Sequence, residues 1–149
     1  MSVTDTPGFV ASGVTCGIKP SGAPDLAMVA TADGAAVTAA GVFTSNRMTA
    51  APVLVCREHL TTTGGRAAAV VLNSGNANAA TGAQGMADAR RMAAATAADL
   101  GCAAEEVLVC STGWIGYPLP MDAILSGIPE AMAALSDDGG AAAAEAIMT

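Results

Sequence analysis

The sequence has 149 residues, 52% of them apolar, with only four aromatics (Phe9, Phe43, Trp114, Tyr117) and a formal net charge of −7. This length sets one domain, residues 1–149, as the expectation, and the excess of acid excludes the basic face of a nucleic-acid binder and a polybasic membrane anchor. Alanine supplies much of the apolar count and buries little area at roughly 25 cal/mol per Å², so the core of this chain alone is expected to be thin.

Residues 1–24 are rich in Gly, Pro, Ser and Thr and read as an irregular lead-in with a short strand around Val14–Ile18. Asp25–Thr31 and Ala35–Thr44 are strand-like. Asp33-Gly34 between them signals a hairpin, because both turn positions tolerate positive φ. Pro52–Cys56 and Ala67–Leu72 are two further apolar, β-branched runs, with Gly64-Gly65 between them as a turn. The period then changes. From Ala83 to Leu100, Met86, Ala89, Ala93, Ala97 and Leu100 share one helical face, with Asp88, Arg91 and Asp99 opposite. Gly101 is placed to end that helix. Val107–Cys110 reads as a short buried strand and Ser111–Pro120 as turns. Met121–Gly127 and Pro129–Leu135 read as two short helices, with Pro129 in a first turn. Asp137–Gly140 is a loop, and another helix starts at Ala141. The order of strands, helix, strand and helices predicts an α/β fold.

No apolar run approaches the ~18 residues of a membrane span. The first residues lack a cationic region followed by an apolar stretch, so no secretory signal is expected. A cytosolic, soluble protein follows as the expectation. Cys16, Cys56, Cys102 and Cys110 have no ligand spacing for zinc and read as reduced, mostly buried thiols. Met28, Met86, Met92, Met121 and Met132 read as core filler. Every Lys and Arg lies at or before Arg91, and eight carboxylates follow it without a cation. That stretch is either a solvated face or a docking surface for a basic partner.

Three segments combine Asn, Ser, Thr and Gly beside strand ends: Gly41–Arg47, Asn73–Ala79 and Ser111–Gly116. Loops after strands are where α/β proteins hold ligands. In Ser111-Thr112-Gly113 a Thr hydroxyl and a Gly N–H can point at one oxygen, the arrangement of an oxyanion hole; a polar turn is the alternative. Asn73–Ala79 is either turn chemistry or a set of amides ordering an active-site loop. Gly82-Ala-Gln-Gly85 lacks the Lys and spacing of a phosphate loop. His59, the single histidine, reads as a surface residue. Glu105-Glu106 read as solvated. No Ser-His-Asp set or GxSxG is present. The residues therefore offer an oxyanion-hole candidate and no nucleophile.

GVFTSNRMTAAPV (41–53), VLNSGNANAATG (71–82), STGWIGYPLPM (111–121) and AAEAIMT (143–149) occur in this order. Together they resemble the ornithine acetyltransferase family, also called glutamate N-acetyltransferase, of arginine biosynthesis. The resemblance runs from about residue 8 to the last. It implies β layers flanked by helices and completed by a second chain, the β chain of the same precursor, in a heterotetrameric assembly. It implies a precursor that cleaves itself before an internal Thr. That Thr, now N-terminal, takes acetyl from N-acetylornithine and passes it to glutamate in a ping-pong cycle, with acetyl-CoA as a further donor in some members and no cofactor. By the same resemblance this sequence is the α portion, Thr112 and Gly113 match the oxyanion hole, and Thr149 matches a substrate-contacting Thr. The chemistry is consistent: an N-terminal Thr carries its own base, so no His is needed. Two residues depart from the family pattern. Trp114 replaces a smaller aliphatic residue, which bears on acceptor choice, and Ala80 stands where Cys is frequent. The sequence also ends before the KGxGM-type stretch and the later Ala-Thr bond. Truncation, a different cut and a moved cleavage site all remain open as explanations. A related N-terminal-nucleophile amidase or aminopeptidase, and a non-catalytic scaffold chain lacking its β half, are the alternative functions.

Overall fold

Residues 2–149 are described by a computed structural model. The strands are β1 (Phe9–Val14), β2 (Leu26–Thr31), β3 (Val37–Thr38), β4 (Arg66–Ala67), β5 (Ala69–Asn76) and β6 (Val107–Trp114). The helices are α1 (Ala51–Thr62), α2 (Gly82–Leu100), α3 (Met121–Ala133) and α4 (Gly140–Ala146). The main sheet has the order β1-β2-β5-β6, with β3 and β4 forming a separate short ribbon. Its first two pairings are antiparallel and β5-β6 is parallel. The parallel pair is joined by α2, the crossover that such a pair requires. The fold is α/β, a sheet flanked by helices, as the sequence predicts.

Strand alternation sorts the core into two unequal halves. Leu26, Met28, Ala69, Val71, Val107 and Val109 face α1, α2 and α3 and pack on Val55, Met92, Ile124 and Ile128. Ala27 and Ala11 face the other way and meet only Ala143 and Ala146 of α4, flanked by Val29 and Leu72. Helix α4 lies mainly on β1 and β2 and reaches β5 at Leu72 and at Ser74, whose hydroxyl donates to the Ala146 carbonyl. Over β5 and β6 that face carries Val70, Leu72 and Leu108, half-buried, and Cys110 and Thr112, exposed. No helix of the described residues is long and apolar enough to cross a membrane.

Several elements differ from the sequence-based expectation. The predicted strand Pro52–Cys56 is the start of α1. Pro52 sits in the first turn, where its missing N–H costs nothing. Pro52, Val55, Cys56 and His59 are buried at the i, i+3, i+4, i+7 spacing of one helical face. His59 is thus no surface residue. Its Nδ1–H donates to the Val107 carbonyl at 2.8 Å, because a carbonyl can only accept. The predicted strand Ala35–Thr44 shrinks to Val37–Thr38, which pairs with β4 and not with β2. Asp33-Gly34 is therefore a turn (Gly34 φ 71) that closes β2 without making a hairpin.

The strand expected at Val14–Ile18 lies earlier, at Phe9–Val14. The two helices expected on either side of residue 128 are one. Ile124, Ile128 and Ala131 are fully buried, and that burial offsets the roughly 3 kcal/mol of an interior proline at Pro129. Asp88, expected on the solvent face of α2, is buried and accepts from Gln84 Nε2 at 2.8 Å. Cys16 and Cys102 are half-buried and Cys110 is exposed, so only Cys56 is a fully buried thiol. The clearest successes are α2 and its αL residue Gly101, whose N–H closes on Ala97.

Two substitutions test this packing. Met92 is fully buried at the centre of α2, so Met92→Ala is expected to lower unfolding free energy by about 2–5 kcal/mol in denaturant titration. Arg91→Ala beside it, on the exposed face, is expected to stay within about 0.5 kcal/mol. Gly113 has φ 134, and a Cβ there would lie 2.3 Å from the carbonyl carbon of Gly75. Gly113→Ala is therefore expected to part the ends of β5 and β6, seen as faster amide exchange at 74–76 and 112–114 with the strand starts unchanged.

Candidate active site

In open α/β sheets, ligands are held beyond the carboxyl ends of parallel strands. Here those ends are Asn73–Asn76 of β5 and Ser111–Trp114 of β6, paired Asn73↔Ser111, Ser74↔Thr112, Gly75↔Gly113 and Asn76↔Trp114. Ser111–Trp114 is thus the last half of a strand rather than a turn. The structure brings two of the three predicted polar segments together. The third, Gly41–Arg47, is exposed beside α1, where Phe43 lies 5.3 Å from the Arg57 guanidinium and Arg57 Nη2 donates to the Thr44 carbonyl at 2.6 Å.

A cleft of about 470 Å³ opens at these strand ends. Its floor is Gly75 and Gly113. Trp114, Tyr117, Pro118 and Pro120 form one wall, and Ile18, Lys19, Pro20 and Ser21 the other, with Thr149 at the rim. The Trp114 and Tyr117 rings are 5.8 Å apart, tilted by 52°, an ordinary aromatic contact. Gly113 and Thr149 therefore share the cleft. Thr112, one residue earlier, points to the thinly covered face of the sheet and is exposed.

The backbone direction of β6 follows from its partners. The Trp114 carbonyl accepts from Ala77 N–H at 2.9 Å, so Trp114 faces β5. The Val109 N–H and carbonyl are engaged from the other edge by Cys56 Sγ at 3.3 and 3.1 Å. His59 holds the Val107 carbonyl on that same edge. Because a strand's peptide groups alternate in direction, the Gly113 N–H lies on the edge of Val107 and Val109, away from β5. Helix α1 covers that edge at Val107 and Val109. Farther along, Gly113 itself lines the cleft.

The Asn side chains of the first segment order the chain between β5 and α2. Asn73 Nδ2 donates to the Asn76 carbonyl at 2.9 Å. Asn76 Nδ2 donates to the carbonyls of Tyr117 and Pro118 at 3.2 and 2.9 Å, while its Oδ1 accepts from Asn78 N–H at 2.9 Å. Asn78 Nδ2 donates to the Gly85 carbonyl and its Oδ1 accepts from Thr81 Oγ1. Asn78 and Ala80 adopt positive φ (45 and 58), a region Asn tolerates better than other side chains. Asn76 thus ties the aromatic wall to the end of β5, so one set of amides serves both turn and site.

The thiols are poor nucleophile candidates. Burial, and then the Asp25 carboxylate, push Cys16 up to about 12. Cys110, whose residue is partly open to solvent while its thiol sits among neighbouring protein atoms, is pushed up to about 11 by desolvation and then by Cys56. A thiol held protonated at neutral pH neither attacks nor ligates readily. Among the described residues no group of three His, Cys, Asp or Glu could hold a metal ion.

The second wall carries no motif in the sequence: the pattern places Ile18 at the end of one expected strand and Asp25 at the start of another. The available signal was an acid directly before an apolar run, preceded by a Gly- and Pro-rich loop whose N–H groups needed an acceptor.

Comparison with known proteins agrees with this geometry. The model of the ArgJ family matches residues 10–149. Arginine biosynthesis bifunctional protein ArgJ of Streptomyces coelicolor is 54% identical over 149 residues, 100% of this chain and 38% of that protein. The protein of the same name from Prochlorococcus marinus is 50% identical over 142 residues, 95% of this chain and 33% of its own length. The chain thus spans about a third of the length of these relatives. Among solved structures, ornithine acetyltransferase from Mycobacterium tuberculosis, complexed with ornithine, superposes with a TM-score of 0.94 at 50% identity, covering 99% of this chain and 79% of that one. ArgJ from Bacillus halodurans superposes at 0.90 and 37% identity, over 100% of this chain and 76% of that one. With a family match over nearly its whole length, this chain belongs to the ArgJ family.

Proposed function

We propose that this chain supplies the oxyanion hole and part of the substrate cleft of an enzyme that transfers acetyl from N-acetylornithine to glutamate. The observation that carries the reading is the Gly113 backbone, its N–H turned away from β5 at the cleft floor in a chain 50% identical to an ornithine acetyltransferase complexed with ornithine. The nucleophile is the N-terminal Thr of a second chain made from the same precursor. Its α-amino group serves as the base, so the Thr hydroxyl can attack the acetyl carbonyl without a histidine. Negative charge then collects on the carbonyl oxygen. The Gly113 N–H and the Thr112 hydroxyl receive it as fixed donors that need no reorganisation. Ornithine leaves with the proton, and the amine of glutamate attacks the acyl-enzyme to release N-acetylglutamate. Acetyl-CoA serves as an alternative acyl donor for the same acyl-enzyme. Thr149 contacts the substrate at the rim.

The half-covered sheet supports a second chain. Thr112 lies on the face where α4 packs mainly on β1 and β2 and reaches β5 only through Leu72 and the Ser74–Ala146 hydrogen bond. A segment docking there completes the thin side of the core and brings its Thr to the hydroxyl of Thr112.

Thr112→Ala in the full-length protein is expected to raise the acyl-transfer barrier by about 2.7–4 kcal/mol, roughly 10²–10³ in kcat. The check is transfer of labelled acetyl from N-acetylornithine to glutamate. An unchanged rate removes Thr112 from the oxyanion hole. Release of labelled acetate in place of N-acetylglutamate would identify an amidase, with water as acceptor.

A further inference from the structure

Asp25 is the one fully buried carboxylate beside the cleft, and the proposed chemistry does not use it. Its Oδ1 accepts the Cys16 N–H at 2.7 Å. Its Oδ2 accepts the N–H groups of Gly17, Ile18 and Lys19 at 3.2, 2.6 and 2.9 Å. Four consecutive donors converge on one side chain. Only an ionised carboxylate can satisfy them, because it is acceptor-only with about four lone-pair sites and its hydrogen bonds are charge-assisted. Asp25 is itself fixed at both ends. Its N–H donates to the Val14 carbonyl and its carbonyl accepts from Ser74 N–H, each at 2.9 Å.

The loop so gathered touches both the floor and the rim of the cleft. A Cβ at Gly75 would meet Ile18 Cγ2 at 2.9 Å and Lys19 Cγ at 3.3 Å. The loop is therefore seated directly on Gly75, whose other side backs Gly113. Beyond the loop, Lys19 Nζ donates to the carbonyls of Pro24 at 2.7 Å and Met148 at 2.6 Å. Thr149 follows Met148 at the cleft rim.

We propose that the Asp25 carboxylate is a positioning residue: through the four N–H groups of Cys16–Lys19 it seats one wall of the cleft on the Gly75–Gly113 floor, and through Lys19 it holds Met148–Thr149 at the rim. The relay has a direction. Asp25 governs the Ile18–Lys19 wall and the rim, whereas Lys19 governs only the rim. As a catalytic role this rests on the acetyl-transfer reading; as a structural relay it does not.

The test is amide exchange by mass spectrometry on the full-length protein, with Asp25→Asn and Lys19→Met, together with kcat and KM for acetyl transfer. Asparagine keeps the volume but replaces one acceptor oxygen with a donor. Asp25→Asn is expected to unprotect both 16–19 and 147–149 while β2 and β5 stay protected. Lys19→Met is expected to unprotect 147–149 alone. In kinetics, Lys19→Met raises KM with kcat little changed. Asp25→Asn also lowers kcat, by roughly ten- to a hundredfold, the scale of losses from a misplaced catalytic group. Unchanged protection at 16–19 in Asp25→Asn overturns the proposal, as does loss spread evenly through the sheet. If Asp25→Asn does not fold, Lys19→Met decides the rim half: retained protection at 147–149 overturns the relay. A wild-type protein that transfers no acetyl sinks the functional reading and leaves the exchange result to decide the relay.

Discussion

The parallel pairing of β5 with β6 is the constraint on which the rest depends. Eight residues of each strand run in register, with Gly75 against Gly113 as the next-to-last pair and Asn76 against Trp114 as the last. The strand ends can approach only because position 113 is glycine: a Cβ on Gly113 would fall 2.3 Å from the Gly75 carbonyl carbon. This contact sets the cleft floor. It also places two strand ends, and the loops that leave them, on one side of the sheet. Asn76 ties the loop after β6 to the end of β5. Asp25 ties the loop before β2 to the opposite side. The cleft is thus made by backbone and by side chains that hydrogen-bond backbone, which suits a site built to present N–H donors.

The alanine-rich composition has a structural counterpart. On the helical side, methionine, isoleucine and valine fill the core, and α2 packs closely through Ala89, Ala93 and Ala97. On the other side the buried residues are four alanines. Alanine contributes little transfer free energy per residue, and α4 reaches β5 there only at Leu72 and Ser74. The thinness expected from composition is therefore localised to one face over the parallel strands, the face that carries Thr112. The acidic residues after Arg91 are mostly exposed. One surface ion pair, Arg90–Glu58 at 2.8 Å, involves neither that stretch nor the cleft, and exposed pairs of this kind contribute at most about 1 kcal/mol.

What could be read from the sequence was what local patterning controls. Helix α2 shows a continuous 3.6-residue period and a terminal glycine, and β2 and β5 are apolar runs bounded by turn residues. The helix at Pro52–Cys56 also obeyed its period, through Val55, Cys56 and His59. Its β-branched residues outweighed that signal at a length where strand and helix look alike. Ser111–Trp114 looked like a turn because Ser, Thr and Gly favour turns. Pairing to a neighbouring strand, a non-local fact, makes it strand. His59 and Asp88, expected at the surface, are buried: His59 bonds the Val107 carbonyl, forty-eight residues along the chain, and Asp88 is held by Gln84 one helical turn away. The motif Ser-Thr-Gly was legible as an oxyanion-hole candidate. The wall opposite it was not.

Mass spectrometry of the full-length protein mixed with N-acetylornithine and quenched before glutamate is added tests the central claim most directly. The account predicts an acetyl group bound as an ester to a threonine that begins a second chain, outside residues 2–149, and its disappearance when glutamate is supplied, with N-acetylglutamate formed in equal amount. Acetyl found on a residue of this chain, or no covalent acetyl while N-acetylornithine is consumed, would contradict it.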